Sequence, residues 1–159
     1  MRARPPTFGD FRCGHCHVLV SSAHLLSGVN NRNHCPYCLW SCHLDLYAAG
    51  DRLSACKAPM KPIGLTMKMG KNKYQREARG ELMLIHQCTD CGTLSINRIA
   101  ADDDSETVMA IFEESLGRRH EIHTLCQENG ITMLKTEDAN FVYTQLYGNE
   151  VEIPMITWA

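Results

Sequence analysis

Apolar and polar positions change period partway along the chain, and that change organises it. Between residues 62 and 69 they alternate, with Ile63, Leu65, Met67 and Met69 on one face, which predicts a β-strand. Residues 81–87 and 93–99 read as two further strands, and 8–12 and 17–21 as shorter ones. Beyond residue 101 the period lengthens. Val108, Ile111, Phe112 and Leu116 recur at helical spacing behind an acidic stretch, 102–105, that offers N-caps and suits the positive end of a helix dipole. Ile122, Leu125 and Cys126 predict a second helix ending at Gly130. Ala139, Val142, Tyr143 and Leu146 predict a third, between Thr136 and Gly148. The tail, 151–158, reads as a strand or a docking segment.

Charge follows the same division. Residues 1–101 hold 13 Lys/Arg against 6 Asp/Glu, and residues 102–159 hold 3 against 12. A basic unit over 1–101 followed by an acidic helical segment over 102–159 is the expected organisation. A hydrophobic fraction of 44% and a net charge of −2 describe a soluble globular protein. The longest apolar runs, such as 82–85, are far too short to span a membrane, and the charged, proline-bearing start (residues 1–6) does not read as an export signal. The expected location is cytoplasmic.

Nine cysteines in 159 residues change the picture further. Eight fall in the basic part. In a reducing compartment, closely spaced cysteines hold metal more often than disulfides. Cys13-Gly-His-Cys16 and Cys35-Pro-Tyr-Cys38 are two Cys-x-x-Cys pairs, each able to aim two thiolates at one ion from a tight turn. Together they make a four-thiolate zinc site. Cys88-Thr-Asp-Cys91, followed by Gly92, is a third pair, and Cys56 is the natural third ligand of a second site. Chemistry alone leaves the fourth open between the adjacent Cys42 and His43, with His86 more distant. Two zinc ions are the cofactors expected. His15 and His17 flank a ligand and are expected to point outward; His34, just before a ligand, reads as a donor behind it, a contact to a partner or an exposed side chain; Cys126 reads as a small core residue. The fold class is therefore α+β, a small zinc-ribbon-like β domain with two zinc sites followed by a short helical segment. A ribbon with so little apolar core would draw much of its folding energy from metal, on the order of 10–16 kcal/mol per site in small peptides.

Arg32-Asn33-His34-Cys35-Pro36 spells the motif of the RNHCP domain family, a group of small bacterial domains, and the chain resembles that family well beyond it. The resemblance runs through Cys38-Leu39, Ser41, His43, Asp45, Gly50-Asp51-Arg52, Cys56, Met60 and Pro62-Ile63. It continues to His86, the Cys88/Cys91 pair, Asn97-Arg98-Ile99 and the acids that follow, covering roughly residues 8–104. It implies a zinc-binding fold and, because the family-like pattern is Ser-x-His, favours His43 over Cys42. It implies no particular activity.

Function is then weighed on charge and ligand chemistry. With four thiolates around one zinc and three plus a neutral His around the other, the formal +7 of residues 1–101 falls to about +4. Arg12, Arg32, Lys68, Lys71, Lys73, Arg76 and Arg79 are candidates for phosphate contacts, and Tyr74 or Tyr37 for stacking on an unpaired base. RNA or a ribonucleoprotein is the leading partner. A protein partner engaging the acidic helical segment is the alternative, including a fold-back of that segment onto the ribbon. A metal-dependent hydrolase or nuclease would need water to complete a three-cysteine site, with Asp45 or His34 as base. Thiolate-rich zinc is a weak Lewis acid, and the deaminase His-x-Glu is missing. No catalytic residues are assigned.

Overall fold

A computed structural model describes residues 10–29, 32–47, 51, 53–68 and 80–148. Two antiparallel sheets carry the N-terminal part. The first pairs β1 (Phe11–Arg12) with β2 (Leu19–Val20), and a single helical turn, α1 (His24–Ser27), follows. The second sheet has the order β3–β4–β5–β6, formed by Ser41–Cys42, Pro59–Lys68, Glu81–Cys88 and Leu94–Arg98. Three longer helices follow among the described residues: α2 (Ser105–Leu116), α3 (His120–Glu128) and α4 (Ala139–Tyr147), the last entered through a 3₁₀ turn at Thr136–Asp138. No described helix is long and apolar enough to cross a membrane.

The helices start and stop where the sequence supplies the chemistry. Asp104 caps α2, its carboxylate accepting from the Thr107 N–H at 3.0 Å, and Glu106 sits in the first turn. At the other end the Gly117 N–H donates to the Glu114 carbonyl and the Arg118 N–H to the Ser115 carbonyl, both at 3.2 Å. Gly130, just past α3, takes φ +73°, the left-handed conformation glycine adopts without strain.

The alternation expected over 62–69 holds for Leu65 and Met67 but not for Ile63. A register shift between Pro62 and Gly64 inserts one extra residue, so Ile63 joins a different cluster from Leu65. In β5 the neighbours Leu84 and Ile85 likewise serve different clusters, and residues 82–86 are buried without a break. The first cluster packs Leu65, Leu82 and Leu84 against Val108, Ile111 and Phe112 of α2 and Val142 of α4. The second gathers Ile63 and Ile85 with Cys126 of α3 and Met133. Cys126 is the core residue its helical position implied.

Both clusters cross the charge boundary at 101/102. Apolar side chains from the acidic helical stretch fill the core of the β4–β5 hairpin, so the two stretches share one interior. The edge of β4 beyond the short β3 is also covered from the C-terminal side. Arg118 donates to the Ile63 carbonyl at 2.8 Å and the Leu134 N–H to the Leu65 carbonyl at 2.9 Å. Gly64 allows this approach, since a Cβ there would run into Met133 and lie 3.3 Å from Ser115 Cβ.

Candidate metal centres

None of the nine cysteines is in a disulfide, and eight ligand atoms fall into two groups whose members lie within 4.8 Å of one another. Cys13, Cys16, Cys35 and Cys38 form the first; His43, Cys56, Cys88 and Cys91 form the second.

Three of the supporting turns share one hydrogen-bond frame. In each, the residue after the second cysteine donates to the first cysteine's carbonyl: His17 to Cys13 (3.0 Å), Leu39 to Cys35 (2.9 Å) and Gly92 to Cys88 (3.1 Å). In each, the first cysteine's N–H reaches five residues on, to Val18, Trp40 and Thr93. The frame forces a positive φ on the closing residue: 64° at His17, 63° at Leu39 and 76° at Gly92. Only the last is a glycine, so the first site is held by two turns that bear left-handed strain. The second site's remaining ligands come from the β3–β4 connection. There His43 and Ala58 pair through a 2.9 Å bond, and Lys57, immediately after Cys56, also has positive φ (50°).

Separations suit a tetrahedral ion. Cys13 and Cys38 Sγ lie 3.5 Å apart, Cys16 and Cys35 Sγ 3.6 Å, and Cys56 and Cys88 Sγ 3.6 Å. A tetrahedron with ~2.3 Å Zn–S bonds has edges of about 3.8 Å. His43 Nδ1 is 3.4 Å from Cys91 Sγ, so the imidazole turns a ring nitrogen into the group. Each cluster can hold a zinc ion. Burial pushes the Cys13 thiol up, but N–H groups of Cys16 and His15 aimed at the sulfur hold it down, to about 7. A hydrogen bond from Thr93 brings Cys91 down to about 6. Burial drives Cys38 the other way, upward. The thiolate is the form that binds metal, and the ion itself supplies the charge that favours it.

The other candidates fourth in line for the second site lie elsewhere. Cys42 turns its sulfur to the Lys57 carbonyl at 3.2 Å. His86 is fully buried: its Nε2 donates to the Leu39 carbonyl at 2.7 Å, and its Nδ1 accepts from the Asn97 amide at 2.8 Å. Burial, with His34 nearby, lowers its pKa to about 3, so it is a neutral structural strut.

Arg32 departs from its expected role. It is not a surface contact for phosphate: its side chain is 1% exposed and forks onto Asp102, with Nη1–Oδ2 at 2.8 Å and Nη2–Oδ1 at 2.7 Å. Nη2 also reaches Asp103 at 3.3 Å, and Nε donates to the His34 carbonyl at 3.1 Å. His34 Nε2 lies 2.7 Å from the buried Asp103, which also accepts from the Ala100 N–H. Asn33 donates to Asp45 at 3.1 Å, and the Pro36 carbonyl accepts from the Asp104 N–H at 3.0 Å. Four of the five residues of the Arg-Asn-His-Cys-Pro motif are therefore buried, and the half-buried Asn33 is tied to Asp45. One of the five is a ligand, and three of the other four tie the first cluster to the start of α2. A carboxylate triplet following the last strand was the available signal for this latch, though it reads equally as a helix cap.

Lys68 is exposed at the end of β4. Lys71, Lys73, Tyr74, Arg76 and Arg79 lie outside the described residues. His15 stacks on Trp40, ring centroids 4.1 Å apart and 5° from parallel.

The RNHCP domain family model matches residues 8–109, from ahead of β1 into α2, and includes both clusters and the latch. No curated protein and no solved structure matches the chain.

Proposed function

The chain belongs to the RNHCP domain family, and from that footing we propose that it is a non-catalytic module that binds RNA or a ribonucleoprotein, its surface held in shape by two zinc ions. The observation that carries this reading is the distribution of unpaired charge. Arg12, Lys57, Lys61 and Lys68 are exposed, and among the described residues none of them forms an ion pair. Among the described basic residues before Asp102, Arg32 is the one that pairs with acids of the helical stretch. Cations held apart from carboxylates on a rigid frame suit a phosphate backbone. The non-catalytic part rests on ligand count: each cluster offers four protein ligands, as a structural site requires, whereas a catalytic one keeps a place for water. His34 and Asp45, the conceivable bases, are engaged by Asp103 and Asn33.

The test is affinity of the zinc-loaded, full-length protein for single-stranded RNA over a salt series. A linear fall of log K with log salt is expected, its slope counting the phosphates engaged, about 0.7 per contact on a single strand. Undetectable binding at low salt would refute the reading. A second reading, a protein adaptor, is favoured by one observation: Leu19, Leu25 and Leu26, near the first cluster in sequence, are exposed, Leu25 at 97%. Replacing Leu25 and Leu26 with Ser would then abolish capture of a partner while leaving the RNA salt slope unchanged.

A further inference from the structure

A cleft of about 430 Å³ opens between the Cys13–Cys16 turn and the β3–β4 connection. Phe11, Arg12, His15, Trp40, Leu44 and Lys57 are among its lining residues. We propose that this cleft is the seat of one unpaired base of a bound RNA strand, stacked against the His15–Trp40 pair, with Arg12 and Lys57 holding the adjoining phosphates. The inference rests on the RNA-binding reading and gives it an address.

Four observations converge on it. His15 and Trp40 are already parallel at stacking distance, and His15 is exposed while Trp40 is half-buried, so the pair is not sealed beneath other groups. Their relative position is fixed by the first metal cluster. His15 lies within the Cys13–Cys16 turn and Trp40 two residues beyond Cys38, so one ion sets both rings. A preorganised π-surface of this kind loses little freedom when a third ring is added. The cavity falls in the range of small-ligand sites, which are concave and mainly apolar with a few polar groups. Among the described residues no carboxylate lines it, in contrast to the cleft beside Asp45 and the one along Asp102, Asp103, Asp104 and Glu106. Both cations are exposed. Arg12 is steadied by a 2.8 Å bond from Nη1 to the His17 carbonyl, which leaves its remaining N–H groups available to an anion. A flat ring flanked by negative charge is what such a site recognises, and bases inside a duplex are already stacked and closed to it.

The measurement uses full-length, zinc-loaded protein carrying Trp158→Phe, which leaves Trp40 as the sole tryptophan. Titration with a single-stranded RNA is expected to quench Trp40 emission, with the midpoint given by the anisotropy of the labelled RNA. Duplex RNA of the same length should bind more weakly and leave the emission unchanged. Trp40→Ala should reduce affinity about 10-fold or more, in keeping with loss of one stacked base, and Trp40→Phe should restore most of it. Two zinc ions per chain in each variant would show that the site, not the fold, was altered. Should Trp40→Ala lose zinc, His15→Ala serves in its place, with a similar loss expected. Salt-dependent RNA binding with unquenched Trp40 and unaltered affinity in the variants would overturn the cleft while sparing the RNA reading. Absence of RNA binding in the parent protein would overturn both.

Discussion

Around Cys13, Cys16, Cys35 and Cys38 little else packs among the described residues: beyond the ligands themselves the cluster contains Val20 and the half-buried Phe11. Around His43, Cys56, Cys88 and Cys91 there is a four-stranded sheet, one hairpin of which is buried on both faces by the C-terminal helices. Exposure differs at one ligand. Each cluster has two buried ligands, Cys13 and Cys35 in the first and His43 and Cys88 in the second, but Cys91 is exposed whereas no ligand of the first cluster is. The first metal centre therefore replaces a hydrophobic core, and the second fastens the end of a sheet that has a core of its own. Metal dependence of folding is therefore expected to be local to one end of this molecule, although the two clusters are of similar composition.

The sharpest way to break that contrast is to remove one ligand from each site. Cys35→Ser should cost one zinc and leave β1, β2 and the surrounding turns unprotected, because a loss on the order of 10 kcal/mol has no apolar burial to offset it. Cys88→Ser should also cost one zinc, yet keep slow amide exchange through β4, β5 and α2. Zinc content and hydrogen exchange on the two variants decide the matter. Equal collapse in both would show that the two ends do not differ.

The next effect concerns the joint between them. Arg32→Ala leaves Asp103 buried with one cationic partner fewer and Asp102 unpaired, and should destabilise by about 3–5 kcal/mol. Arg32→Lys should recover only part of this, since an ammonium cannot fork across both Asp102 oxygens. Urea unfolding of the three proteins checks it, and a loss under about 1 kcal/mol would mean the ion pairs are incidental.

Much of the metal chemistry was legible in the sequence because it is local: a pair two residues apart announces a tight turn wherever it occurs. The helix start within 102–105 and the helix end at Gly130 were legible for the same reason. The latch was not. Arg32 sits in a polar run, 30–34, and a polar run reads as surface; its burial depends on carboxylates some 70 residues away that no local pattern displays. The bulge at Ile63 was hidden too, since alternation shows period and not the register of the partner strand. Nor did the charge boundary at 101/102 reveal that helical side chains beyond it complete the sheet's core. Charge sorts along a chain independently of where apolar residues pack.

The smallest predicted effects come from the turns themselves and carry opposite signs. His17→Gly should stabilise by up to about 1 kcal/mol, relief of left-handed strain being partly offset by the freer unfolded chain. Gly92→Ala should destabilise by about 1 kcal/mol through backbone conformation alone, because a Cβ there meets nothing within 4 Å. Thermal midpoints of the zinc-loaded variants test both.

The latch also imposes an order of events during synthesis. Cys13 to Cys38 lie close together in sequence, so the first cluster can gather its ligands while most of the chain is still unmade. Arg32 and His34 are meanwhile without their acceptors, which lie 69–71 residues further on. At ~5–20 residues per second that interval lasts roughly 3–14 s. Through it the nascent chain carries a metal-ordered tip whose inward charges still face water, and only the arrival of the acidic triplet completes the interior.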